Sequence, residues 1–328
     1  MTKIEALKSK LSLPVIGAPL FIVSGPELVI AQCKAGIVGS FPALNARPQP
    51  VFEDWIRTIK DELGAYAEAN PDARVAPFAV NQICHGSNDR LWKDMEICVR
   101  HEAPIIITSL RPPAELVQAA HEYGGLVFHD VINIRHAQKA ADQDVDGLIL
   151  VCAGAGGHAG TLSPFALVRE VKSWFSGAVL LSGAIADGFG VAAAISLGAD
   201  FAYVGTRFIA SREANADDGY KRMLIDSTAE EIVYSSLFTG VHGNYLKRSI
   251  VAAGFDPDNL PHADKSTMDF GSGGTMKKKV WRDIWGAGQG VGSIADAPPI
   301  AEIVERMHTE FGMAERDLLA ASARYAAI

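Results

Sequence analysis

The sequence predicts an α/β chain folded as a (β/α)8 barrel of the TIM-barrel class, with a smaller, mainly helical cap domain. Two observations carry this expectation. Short apolar runs alternate regularly with helical patterns over residues 1–215, and the runs are apolar throughout instead of alternating in polarity, as parallel strands buried on both faces are. The later runs also end in glycine-rich turns, where α/β barrels keep their chemistry.

Taken in order, the strands are expected to begin near Val15, Ile37, Val75, Ile105, Leu126, Gly147, Ala178 and Phe201. Helical patterns separate them at 26–34, 52–69, 89–101, 113–123, 134–143, 164–175 and 187–197. Asp187 suits the N-cap of the last helix and Gly198 its C-cap. A dinucleotide-binding doubly wound sheet is the competing fold, because Gly154-Ala155-Gly156-Gly157-His158-Ala159 satisfies the loose G-x-G-x-x-G/A pattern. It fails on context: that fingerprint belongs at a first βα turn, whereas five strands precede this one and the next helix starts only at Ser163-Pro164.

After Thr206 the rhythm stops. Segments 211–227 and 229–237 read as helical, and 239–250 carries Gly240, His242, Tyr245, Lys247 and Arg248. We expect residues 216–280 to form the helical cap or substrate domain over the barrel mouth, with Asp256-Pro257-Asp258-Asn259 as a turn. The Lys277-Lys278-Lys279 run reads as a solvated face. Residues 281–328 read as a return segment, with glycine-rich Trp285-Gly286-Ala287-Gly288-Gln289-Gly290, and a helix over 300–325 that packs on the barrel.

At 328 residues the chain is longer than the roughly 250 of a typical barrel, which leaves room for one insertion. A net charge of -8 and a pI near 5.6 argue against nucleic acid as a partner. No apolar run approaches the length of a membrane span and the first residues lack a signal-peptide core, so a cytoplasmic location without membrane contact is expected. Cys33, Cys84, Cys98 and Cys152 show no metal spacing and are expected as buried free thiols. The histidines form no ligand motif, so no metal site is expected.

The chemistry points to the loop Gly154-Ala155-Gly156-Gly157-His158-Ala159-Gly160, directly after the apolar run 148–151. Glycines let the backbone approach a flat ligand and leave one imidazole as the reactive side chain. Downstream, Gly183 and Gly205-Thr206 each follow a strand, so their N–H groups can converge on a single phosphate.

In combination, these motifs resemble the nitronate monooxygenase family, formerly called 2-nitropropane dioxygenases, which are FMN-containing (β/α)8 barrels. The resemblance runs essentially end to end. It includes Gly17-Ala18-Pro19, Phe78-Ala79-Val80-Asn81, His129 with the segment 135–140, the His158 loop, Ser182-Gly183, Gly198-Ala199-Asp200, Gly205-Thr206-Arg207-Phe208 and Ala287-Gly288-Gln289. It implies FMN with its phosphate on Gly183, Gly205 and Thr206 beside Ala184, and its ring against Ala18 and Pro19. Asn81 would bond the ring or ribityl chain; Gly286, Ala287 and Gln289 would approach from the cap side. His129, Asp130, Gly157 and Ser182 complete the expected cofactor contacts, and His158 would face the reactive part of the flavin as general base or cationic partner.

The implied reaction is one-electron oxidation of an alkyl nitronate, with nitroalkanes as further candidates, by O2 to a carbonyl compound and nitrite. The implied partners are that small molecule and O2, with a homodimer left open. Leu20, Phe21, Ile22, Ile83 and Cys84 are the expected pocket residues. Two positions depart from the family pattern: Asp130 stands where lysine or glutamine is frequent, and Ala159 where arginine often follows the histidine. Asp130 reads equally as a cap for the helix beginning near Asn133. The alternative functions are an NAD(P)H-dependent flavin reductase acting on a quinone or enoyl thioester, and a flavin-holding subunit.

Overall fold

Eight apolar strands close into a parallel barrel. The computed structural model describes residues 1–111, 114–263 and 284–326. The strands are β1 (Val15–Gly17), β2 (Gly39–Pro42), β3 (Phe78–Ile83), β4 (Ile105–Ser109), β5 (Leu126–Val131), β6 (Gly147–Val151), β8 (Ala178–Ser182) and β9 (Phe201–Val204), hydrogen-bonded in the order β1-β9-β8-β6-β5-β4-β3-β2. A parallel bridge between Ile16 and Val38 joins the two ends. Helix α1 (Lys3–Lys8) precedes the barrel; α2 (Pro26–Lys34), α3 (Val51–Ala69), α4 (Leu91–Arg100), α5 (Ala114–Glu122), α6 (Ile134–Ala141), α7 (Pro164–Lys172) and α8 (Gly188–Leu197) fill the crossovers, and the short α9 (Thr206–Ile209) follows the last barrel strand.

The strands are apolar on both faces because both faces are buried. Ile16, Val38, Ala79, Ile105, Ile107, Phe128, Ile149, Leu180 and Phe201 pack together inside the barrel. Their strand neighbours Val80, Ile106, Val127, Leu148, Val179 and Ala202 pack outward against the helices. Since side chains alternate along a strand, this parity carries Asn81, Ser109, Asp130 and Ser182 to the inner face at the C-terminal strand ends, with Tyr203 already among the inner core residues.

The caps follow the sequence. Asp187 accepts from the Gly190 N–H at the start of α8, and Gly198 ends that helix at φ +104°. The terminal helix α12 (Ile300–Tyr325) docks on α8. The contact is backbone-close: a Cβ on Gly188 would lie 2.0 Å from the Met307 carbonyl oxygen.

Two elements differ from expectation. The third strand starts at Phe78 instead of near Val75, because Pro77 has no N–H for the ladder. Segment 229–237 is not a helix. A capping box between Thr228 and Glu231 launches only a 3-10 turn (Ala229–Glu231), after which Ile232-Val233-Tyr234, β-branched and aromatic, enters strand β10 (Ile232–Ser235). Strand β11 (Gly243–Leu246) pairs with it, so between α10 (Asp218–Ile225) and α11 (Lys247–Ala252) the post-barrel segment has a sheet as well as helices. The turn at Asp256 forms, with the Asn259 N–H on the Asp256 carbonyl at 3.2 Å. Pro113 as a helix start, the polar stretch from 264 and Lys277-Lys278-Lys279 lie outside the described residues.

Gly188→Ala should destabilise the fold by about 2–4 kcal/mol through overpacking against α12. Gly64, with nothing within 4 Å of its would-be Cβ in α3, should gain about 0.5–1 kcal/mol as Ala. Thermal unfolding of both variants checks the pair.

Candidate functional site

The glycine-histidine loop leaves β6 and forms a two-residue strand of its own, β7 (Gly157–His158). That strand pairs antiparallel with β11, His158 opposite Gly243, so the order β10-β11-β7 ties the post-barrel segment to the C-terminal mouth through His158 itself. The loop needs its glycines: Gly154 and Gly157 sit at φ +83° and +64°, and a Cβ on Gly156 would come within 2.8 Å of the Gly288 nitrogen.

His158 is half-buried, and its Nε2 lies 2.9 Å from the Thr239 hydroxyl. That hydroxyl donates to the Val241 carbonyl at 2.9 Å and accepts the Val241 N–H. The hydroxyl thereby pins the imidazole through Nε2, with the direction of that bond set by the imidazole tautomer. Burial pushes the imidazole down to about 4, so it is neutral at pH 7.

Three loops and the return segment meet beside it. Gly183 (φ +136°) and Ala184 (φ +56°) follow β8 in left-handed conformations; Gly205 and Thr206 follow β9. The Gly154 carbonyl accepts the Gln289 N–H at 2.8 Å and the Ala184 N–H at 3.3 Å. The Gly288 N–H goes to the Thr206 hydroxyl at 2.9 Å. Gly205 faces the first loop, its would-be Cβ 3.5 Å from the Ala18 Cβ and 3.4 Å from Leu20. Asn244, on β11, donates to the Ala155 carbonyl at 2.6 Å and accepts the Ala287 N–H on its own carbonyl. Tyr220 stacks on Trp285 at 5.0 Å and donates to the Gly286 carbonyl. Gly286, Ala287 and Gln289 thus buttress the glycine loop.

A directional hydrogen-bond chain crosses the inner mouth. Asn81 donates its amide hydrogens to the Ile107 carbonyl (3.3 Å) and the Ser109 hydroxyl (2.9 Å). Ser109 in turn donates to Asp130 Oδ2. Asp130 Oδ1 is buried with no hydrogen-bond partner among the described residues, and burial pushes the carboxyl up to about 6. Asp130 does not cap α6; Asn133 does, accepting from the His136 N–H at 2.9 Å. His129 lies one residue away on the opposite parity, its Nδ1 2.7 Å from the Thr108 hydroxyl. It therefore belongs to the buried helix side of the sheet, where burial pushes it down to about 4, and not to the interior with Asp130.

The structure brings together Ala18, the His158 loop, Gly183, Ala184, Gly205, Thr206 and Gln289; Asn81 and Asp130 join each other through Ser109. Lys247 and Arg248 pair with Asp258 and Glu231 on the outside, and Tyr245 is buried against Phe238 and Ile250. Phe21 and Ile22 are exposed on the first loop, while Cys84 is buried. Sequence reasoning missed Ser109, Tyr203, Thr239 and Asn244. Ser109 had a signal: it is the polar residue that ends the inward series Ile105, Ile107. Thr239 had none, because it comes from 81 residues away. All four cysteines are free and buried. Among the described residues no cluster of His, Cys, Asp or Glu could hold a metal, and no helix is long and apolar enough to cross a membrane.

Burial of His129 carries a pH signature. Its folded-state affinity for a proton is depressed from 6.5 to about 4, so the stability it contributes is complete above 6.5 and lost as pH falls through about 4. Urea unfolding should lose stability over that window, approaching about 3 kcal/mol from this residue. By NMR the His129 imidazole should stay neutral down to about pH 5; titration near the ordinary value would contradict its burial.

Comparison with known proteins places this geometry. Residues 4–310 match the family model described as nitronate monooxygenase. A nitronate monooxygenase of Paraburkholderia phytofirmans is 26% identical, covering 90% of this chain and 92% of its own. A Mycobacterium tuberculosis protein named as a (3aS,4S,5R,7aS)-5-hydroxy-7a-methyl-1-oxo-octahydro-1H-indene-4-carboxyl-CoA dehydrogenase is also 26% identical, over 83% of this chain and 73% of its own. In fold, the structure of a nitroalkane oxidase from Streptomyces ansochromogenes superposes with a TM-score of 0.81 at 21% identity, covering 95% of this chain and 99% of that one. With a barrel, a histidine-bearing glycine loop and a family match over nearly its whole length, this chain is an oxidoreductase that belongs to the nitronate monooxygenase family.

Proposed function

We propose that this chain is an FMN-dependent enzyme that oxidises alkyl nitronates with O2 to a carbonyl compound and nitrite. The observation that carries the reading is the convergence of bare backbone from Gly183, Gly205 and Thr206 next to the loop that holds His158. These residues fit one phosphate. A Cβ on Gly183 would lie 2.8 Å from the Ala153 carbonyl oxygen, so only glycine turns the chain there, and consecutive N–H groups at such turns bind anions. The N–H groups of Gly183, Gly205 and Thr206 would hold the phosphate, with Ala184, whose own N–H goes to the Gly154 carbonyl, beside it and Ser182 below. Ala18 and Pro19 would back the ring, and Asn81, Asp130 and Gly157 would border it. His129, on the helix side, would support the wall from behind.

Bound there, FMN supplies the electron acceptance. This chain's own residues do the rest. The glycine loop lets the substrate lie close, and the sheet that carries β7 and β11 screens water from it. His158, neutral and oriented by Thr239, is the imidazole that would take the α-proton of a nitroalkane. A nitronate arrives without that proton and asks only for positioning.

The relative named as a CoA-ester dehydrogenase favours a second reading, an NAD(P)H-dependent reductase acting on a thioester. Nitrite release from propyl-1-nitronate in air, against anaerobic bleaching of bound FMN by NADH, separates the two.

Two outcomes are expected. His158→Ala should cost neutral nitroalkanes on the order of 10²-fold or more in kcat/KM and preformed nitronates much less, at unchanged FMN content; equal losses would assign His158 to binding. Gly183→Val should weaken FMN binding at least about tenfold, as a β-branched residue at that φ displaces the turn; fluorescence titration of the apoprotein reads it.

A further inference from the structure

Asp130 Oδ1 is buried and without a hydrogen-bond partner among the described residues, at the end of a chain of donors. Asn81 sets the direction of the chain. Its Nδ2 bonds a backbone carbonyl, Ile107, which only accepts, so the nitrogen is correctly placed and donates to Ser109 as well. The Ser109 proton therefore runs on to Asp130 Oδ2. One donor for a buried carboxylate is too few, since an ionised carboxylate left with an unpaired oxygen away from water is strongly disfavoured.

We propose that Asp130 serves the flavin as a neutral carboxylic acid, Oδ1–H donating to an acceptor on the pyrimidine edge of the isoalloxazine, so that one chain of donors runs Asn81, Ser109, Asp130, flavin. This rests on the flavin reading of the site. Each link polarises the next, and an acid at the end favours the negative charge that a flavin gains on reduction, whereas a carboxylate would oppose it. The neighbours suit a proton on Asp130. Facing it are Tyr203 from β9 and Cys84 after β3, both pushed up chiefly by burial and further by any charge on Asp130, with Asn81 and Ser109 from β3 and β4; none of these brings a cation. Burial already raises the carboxyl to about 6, and a ring covering the mouth pushes the same way.

The test is the FMN affinity of apoprotein by fluorescence quenching from about pH 5.5 to 8.5, for wild type and Asp130→Asn, whose amide mimics the protonated acid. The phosphate of FMN itself ionises near pH 6, so the ratio of the two dissociation constants is what counts. Wild type should match Asp130→Asn at low pH and fall behind it by about tenfold or more at high pH, while Asp130→Leu binds weakly throughout. A flat ratio, or wild type tightening relative to Asp130→Asn as pH rises, overturns the inference and leaves the flavin site standing, the latter marking a carboxylate that accepts the ring N–H. No FMN binding by wild type at any pH overturns the flavin reading together with it.

Discussion

The mouth of this barrel depends on one carbonyl. Gly154 O accepts N–H groups from Ala184, in the loop after β8, and from Gln289, in the return segment. It thereby clamps three stretches of chain that are far apart in sequence. The clamp works only because backbone touches backbone: a Cβ on Gly288 would lie 2.5 Å from that same oxygen. The Thr206 hydroxyl repeats the device by accepting the Gly288 N–H. The turns at Gly183 and Gly205 are thus held from behind, which is what pre-organised anion recognition requires.

Burial then sets the chemistry in a single direction. It lowers the proton affinity of His158 and raises that of Asp130, so both are pressed toward their neutral forms. His158 gains its orientation from Thr239, and Thr239 is delivered by the same β7-β11-β10 sheet that roofs the loop. The orientation of His158 and the packing of the post-barrel segment on its loop are therefore one structural event.

The barrel was legible because the strand signal is strong where both faces are buried: runs such as Gly147–Val151 and Ala178–Ser182 admit few other readings. The ends of α8 were legible from Asp187 and Gly198 for equally local reasons. The post-barrel segment was not. Thr228 and Glu231 announce a helix, and the strand propensity of the next three residues overrides them once β11 offers a partner. The glycine turns and the place of His158 after β6 were legible because they are local, while Thr239 and Asn244 reach the loop across long sequence separations and leave no periodic trace. His129 shows the limit of motif reasoning: the motif brings it to the right strand, and strand parity turns it to the other face.

The most direct measurement is a crystal structure of the FMN-loaded protein. The account requires the phosphate within hydrogen-bond distance of the Gly183 and Thr206 N–H groups, the ring against Ala18 and Pro19, and His158 on the open side of the ring. A phosphate bound elsewhere, or a ring turned away from His158, would contradict it.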